Sequence, residues 1–494
     1  MSQRLTGSSS PPRRGLWLVL IAGLGLLGVI LIGFSVVVAP TVQPTPTPTH
    51  TLLPPTPTPT PPPSPTPTPA WPVTVSCGSG VPADVCGGLR EAGDQDSEHF
   101  SWVDEPAVAD VQVRTNALPN SRPFATWVYA LVAPFFTVED GISSMDLEAT
   151  WGGEPAGSFV EHPLLVSRDT LDGVPLGAPA GDVWIVEASE LLTQAVALDG
   201  WAIVPFHALE PRWKVIRVDG VSPLDRGLDL EAYPLATTAA VGTETRPDAL
   251  SRLPSSFMNR DPEKMSVVMM TGVTALTRNT ALTMERQGVI FPAQDIHSWM
   301  IEPDITHTSN EVSFAEDCPA PTGESTLVFC SDPSYFDLLE YVDIDVLELT
   351  GNHLLDWGVD AMEDSLRLYE ERGVPTFGGG WNLTEAQEPL TLSHGVHTFG
   401  FLGCNSVGPS YAWATAERPG AAPCDYDLLT SQVRELRAQG ILPIVTFQFL
   451  EVDQYAPTAS QRATFQAVSE AGAVVVSGSQ AHWPQGFDFH AGGF

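Results

Sequence analysis

The spacing of apolar and polar positions divides the chain into stretches of different character. Residues 15–39, GLWLVLIAGLGLLGVILIGFSVVVA, carry no charge over a length that spans a bilayer as one helix. Arg4, Arg13 and Arg14 precede this run and no Lys or Arg follows until Arg90. The positive-inside rule therefore places residues 1–14 in the cytoplasm and everything after residue 40 outside, a single-pass anchor in the cell membrane. Residues 40–70 are a Pro/Thr repeat with little to bury. That composition favours polyproline II, at roughly 3.1 Å per residue, and predicts a stiff stalk about 90 Å long.

Beyond the stalk the pattern becomes globular. Residues 71–260 contain strand-length apolar runs, TWVYALVAPF, DVWIVEA, GWAIVPF and WKVIRVDG, with the helical ASELLTQAVAL among them, which predicts a smaller α/β domain. Residues 261–494 alternate more regularly. MSVVMMTG, VDIDVLELTG, HTFGFLGCN, LPIVTFQF and AVVVSGS read as strands, and VDAMEDSLRLYEERG, YDLLTSQVRELRAQG and SQRATFQAVSEAG as amphipathic helices. Strands alternating with helices predict βαβ units and a largely parallel sheet.

Composition sharpens the picture. The formal net charge of −36 repels polyphosphate and excludes nucleic acid as a partner. Six cysteines fall as three local pairs, Cys77 with Cys86, Cys318 with Cys330, and Cys404 with Cys424. Sequence leaves their connectivity open. Neighbour pairing is the expectation, because each pair lies in a Pro/Gly/Ser-rich stretch and an extracytoplasmic location permits disulfides.

In parallel sheets ligands sit beyond the carboxyl ends of the strands. Those ends supply Thr271, Gly272 and Val273, then Glu311, then Asn352 and His353 with Asp356, then Gln448 with Glu451, and finally Gln480 with His482. Carboxylate, amide oxygen and imidazole are donors for Zn, Mn or Fe, and a pair of such ions can clamp phosphoester oxygens while generating hydroxide. Simpler readings stand beside this one. Asn352 suits a left-handed turn, His353 a backbone cap, and Asp356 the N-cap of the following helix.

Five segments in order, TGVTALTR, SNEVSF, GNHLLDWG, TFQFLEV and GSQAHWPQ, resemble the motifs of the bacterial capsule synthesis protein CapA family. That family's pattern runs as a TGD strand end with a following Arg, an NLE segment, NNHxxDxG, an HWG segment and a closing GHHPH. The resemblance covers residue 265 to the end and implies a fold similar to calcineurin-like metallophosphoesterases, acting on poly-γ-glutamate, an anionic surface polymer. It implies Glu311, Asn352 and His482 as metal ligands, His353 as the acid oriented by Asp356, and Arg278 as a substrate contact. Gln448 and Gln480, neutral and weaker donors than imidazole, are expected as hydrogen-bonding walls of the substrate pocket. The chain departs from the pattern at Val273, where the family has a metal-binding Asp, and at Gln448 and Gln480, where it has His. Those departures imply an alternative, a catalytically degenerate module that captures an anionic polymer or solute. The stretch GWAIVPFHALEPRWKVIRVDGVSPLDR, residues 200–226, resembles part of a bilobal solute-binding fold. The family's sheet continues past the point where this sequence stops, so a C-terminal truncation is also expected.

Overall fold

The structure is a computed structural model that describes residues 71–494 except 117, 119, 182 and 323–326. The expected cytoplasmic segment, transmembrane helix and stalk lie outside the described residues. Among the described residues no helix is long and apolar enough to cross a membrane.

Residues 71–260 form an α/β region around one long strand, Arg122–Pro134. Its side chains are buried almost throughout, because one apolar cluster including Leu131 and Ile203 packs on one face and a second including Val132 and Val204 packs on the other. Val204 pairs with Ala130, which fixes the neighbouring strand Trp201–Pro205 antiparallel to the long one. The other predicted strands appear as Trp184–Val186 and Trp213–Val218, and the predicted helix as Leu191–Leu198. Sequence patterning missed Val73–Cys77, Val111–Arg114, Leu164–Ser167 and Ala236–Gly242, short strands within the same mixed sheet.

Residues 261–494 hold two four-stranded sheets where the pattern predicted one, besides a two-stranded ribbon of Gly379–Gly380 with Gly420–Ala421. The first is wholly parallel, in the order β1 (Val268–Thr274), β2 (Ile305–Asn310), β3 (Val346–Glu348), β4 (Thr376–Phe377). The second runs β5 (Leu390–His394), β6 (His397–Asn405), β7 (Leu442–Gln448), β8 (Val475–Ser479), parallel except for the β5–β6 hairpin. Side-chain alternation sorts each strand between two layers. On β7, Ile444 joins Ile305, Val346 and Phe401 between the sheets, while Val445 and Phe447 pack outward with helices α3 (Tyr426–Ala438) and α4 (Ala459–Ala471). Leu347 of β3 faces the other way, against Met362 and Leu366 of α2 (Val359–Arg372) and Met284 of α1 (Arg278–Gln287). The result is four layers, helix, sheet, sheet, helix.

The three expected disulfides are present, Cys77–Cys86, Cys318–Cys330 and Cys404–Cys424. Two of them depart from the irregular setting expected, since Cys77 ends a strand, Cys86 lies in the helix Ala83–Gln95 and Cys404 lies in β6. An aromatic cluster and an ion pair are among the contacts that join the regions. The Phe135 ring meets Phe487 and Phe489 at centroid distances of 5.7 and 4.9 Å, and Arg226 pairs with the nearly buried Asp304.

Candidate functional site

The inter-sheet layer changes character along its strands. Continuing from Ile444, the same face of β7 presents Thr446 and then Gln448, and continuing from Ile305, β2 presents His307 and Ser309 before the chain reaches Glu311. The polar end of this layer is the rim where the strands stop. Gln448 ends β7 fully buried, opposite Asn405 and Ser479, and Glu311 is 9% exposed. The segment after β3 crosses directly over Glu311. A Cβ on Gly351 would lie 2.6 Å from the Glu311 Cα, so only glycine permits the approach that delivers Asn352 and His353 to the rim.

Gln448 organises what gathers there. Its Nε2 donates toward Glu311 Oε1 at 2.9 Å, Asn352 Oδ1 at 2.8 Å and Gln480 Oε1 at 2.5 Å, while its Oε1 accepts from Ser479 Oγ at 2.5 Å. Gln480 reaches it from a left-handed backbone, φ 78°, unusual for a residue with a side chain and the kind of local strain that clusters at functional sites. Burial pushes the Glu311 carboxyl above its ordinary pKa, against the lowering influence of His353, the Gln448 hydrogen bond and His482.

Beside this hub stands a second group. His353 Nδ1 lies 2.6 Å from Asp356 Oδ2, and the Asp356 side chain is 1% exposed. Asp356 also accepts from the Phe329 backbone N–H and from the Tyr411 hydroxyl, each at 3.1 Å. The N-cap position of α2 is taken by Gly358, so Asp356 serves the imidazole and not the helix. Burial disfavours the charged ring, but the hydrogen bond and charge of Asp356, together with the charge of Glu311, outweigh it and raise the His353 pKa. The Phe329 ring covers His353 at a centroid distance of 4.4 Å, and the neighbouring Cys330 is tied to Cys318. Arg278 lies over Phe329, 5.7 Å from its centroid.

The residues expected from sequence therefore fall into two sets. Glu311, Asn352, Gln448 and Gln480 meet in one hub and His353 with Asp356 adjoin it, while Arg278 stands behind Phe329. His482 pairs instead with Glu451 at 3.2 Å, with both side chains more than half exposed. It lines, with Val273, Glu311, Gln480 and Trp483, a cavity of about 870 Å³ that opens beside the rim. Tyr455 meets Trp483 edge to face there, at 4.8 Å. Sequence reasoning missed Phe329 and Tyr411. Their one signal was position, since each lies within or beside a segment closed by a cysteine pair.

The resemblance implies a divalent metal, and the donor set tests it. The three oxygens around Gln448 are of suitable type, but the point on which they converge is filled by the Gln448 amide nitrogen, and Val273 supplies no donor. Among the described residues no group of three or more His, Cys, Asp or Glu is placed to hold a metal ion. As arranged, the rim does not fit one.

Comparison with known proteins agrees with the motif order. Residues 267–494 match the family described as bacterial capsule synthesis protein PGA_cap. The chain is 24% identical over 195 residues to the PGA biosynthesis protein CapA of Bacillus subtilis (strain 168), covering 39% of this chain and 49% of that one. It is 28% identical over 155 residues to the capsule biosynthesis protein CapA of Bacillus anthracis, covering 30% of this chain and 37% of that one. The chain thus spans half or less of the length of these relatives. Among solved structures, an ABC-type phosphate transport receptor from Vibrio cholerae aligns with 37% of this chain and 93% of its own, at 13% identity and a TM-score of 0.31. PstS from Borrelia burgdorferi aligns with 37% and 91%, at 9% identity and a TM-score of 0.29. Scores that low carry no argument about fold or ligand. Over residues 267–494, the family match and the two capsule-protein relatives support a divergent member of the bacterial capsule synthesis family.

Proposed function

We propose that this protein acts in the biosynthesis of a capsule or other cell-surface polymer, of the poly-γ-glutamate class, and that it holds the polymer at the Glu311 and His353 rim. The observation that carries this reading is the convergence of Glu311, Asn352, Gln448 and Gln480, from four separate segments, on one hub beside the His353–Asp356 pair. The uncharged run 15–39 and the Pro/Thr stalk would hold that rim outside the cell, anchored in the membrane. Amide groups at the rim are suited to the amide-bonded backbone of such a polymer, and Arg278 to its carboxylates.

The test is titration of the full-length protein, purified in detergent, with poly-γ-glutamate by calorimetry. The expected result is saturable binding weakened at least tenfold by Asn352→Ala or His353→Ala, with the fold intact by circular dichroism. Binding untouched by both substitutions would remove the rim from the function. A second reading, cleavage or transfer of the polymer, is favoured by one observation, the His353–Asp356 pair, which is arranged as a proton donor with a fixed tautomer. New amine ends appearing in polymer incubated with the protein and not with its His353→Ala variant would support it.

A further inference from the structure

We propose that the Gln448 side-chain amide occupies the place of a metal ion, so that the rim is assembled by hydrogen bonds alone and works without a divalent cation. Three oxygens, Glu311 Oε1, Asn352 Oδ1 and Gln480 Oε1, stand 2.9, 2.8 and 2.5 Å from one nitrogen. An ion bound by the same three oxygens would overlap that nitrogen. The nitrogen is held in place from behind, since the other end of the amide accepts the Ser479 hydroxyl at 2.5 Å and its residue is fully buried at the end of β7. Ser479 is itself fixed opposite Gln448 by the β7–β8 register.

The chemistry of the substitution is consistent on each side. A neutral amide group gives partial positive charge and two N–H donors where an ion would give full charge, so it suits a rim with one buried carboxylate and not a cluster of them. Glu311 is the only carboxylate that Gln448 contacts on the hub. Val273 stands where the resemblance implies an acidic ligand, 37% exposed on the cavity wall and unable to coordinate. With three acceptors and two hydrogens, one oxygen remains short of a donor. The group that completes the hub is therefore a neutral N–H or O–H donor, such as an amide of a polymer backbone.

The inference concerns how the rim is built and can fail while polymer binding stands, or stand while polymer binding fails. The test uses the full-length protein in detergent, with metal content by mass spectrometry and melting temperature read with excess chelator and with added Zn, Mn or Ca. The expected result is no stoichiometric metal and no shift of melting temperature with chelator or metal. Gln448→Leu should lower the melting temperature by roughly 5 °C, since it strands the buried Glu311 carboxyl and two partly buried amide oxygens. Gln448→Glu should gain a metal-dependent rise in melting temperature that the parent lacks, because it puts a second carboxylate on the hub. Near-stoichiometric metal in the parent, or a parent melting temperature that falls with chelator, would overturn the proposal. If Gln448→Leu does not fold, the parent measurements and Gln448→Glu still decide it.

Discussion

His353 Nδ1 and Asp356 Oδ2 lie 2.6 Å apart across one turn, and the carboxylate of that pair is also held by the Phe329 N–H and the Tyr411 hydroxyl. The pair therefore stabilises the protonated imidazole. The sign of its pH dependence follows. Because the folded-state pKa of His353 is raised, the stabilisation is fully present below the unfolded value of about 6.5 and is lost as pH rises through the folded value. Asp356→Asn should flatten that part of the stability profile, and Asp356→Ala, which leaves three donors unpaired, should cost roughly 3 kcal/mol. Urea unfolding at a series of pH values checks both. A profile that keeps its slope in Asp356→Asn would assign the slope to another group.

The Cys318–Cys330 bridge closes a segment of sequence separation 12 and holds Phe329 over His353. Replacing both cysteines by serine should lower stability by about 3 kcal/mol, the entropy of a loop that size. It should also speed acylation of His353 by diethylpyrocarbonate, because the ring loses its cover. An unchanged acylation rate would mean that Phe329 stays in place without the bridge.

His307 and Glu348 are hydrogen-bonded between the sheets, 3.2 Å apart with side chains 1% and 4% exposed, and Thr350 donates to the same carboxylate. Nothing at the rim uses this pair. Removing one member strands the other, so Glu348→Leu alone should cost about 3 kcal/mol, while His307→Leu combined with Glu348→Leu should lie close to the parent. A double variant no more stable than Glu348→Leu would show that the pair is needed for the packing of its layer.

A chain of net charge −36 and a polyanion repel each other at long range. If the rim binds poly-γ-glutamate through short-range hydrogen bonds, affinity should rise several-fold between about 0.02 and 0.15 M salt, as screening removes the repulsion. Affinity that falls instead would point to binding carried by a local basic surface, with Arg278 the first side chain to substitute.

The parts of this structure legible in the sequence are those with a strong period. HTFGFLGCN, LPIVTFQF and the three amphipathic helices appear within a residue or two of their predicted places, since alternation and the helical stripe each leave a signature. The strand Ile305–Asn310 does not, because its inward face carries His307 and Ser309 where the alternation rule looks for apolar side chains. The division into two sheets was equally hidden, as pairing is a matter of partner choice and not of local pattern. At the rim, motif order located Glu311, Asn352, His353 and Gln448. That the amide of Gln448 should bind three of its neighbours was not readable, because hydrogen-bond direction depends on how strand ends meet. Phe329 and Tyr411 reach His353 and Asp356 from segments whose folding is set by disulfides, and no periodicity marks them.

The graded interior has a consequence for how such a region changes over time. Ile305, Val346 and Ile444 form an apolar layer between the sheets, while the rim groups stand further along the same chain directions, Gln448 at the end of β7 and Glu311 just past β2. Folding and chemistry thus draw on different positions along the same segments. A substitution at the rim end of a strand leaves the apolar layer untouched, so the groups that meet a ligand can change while the fold that carries them stays the same.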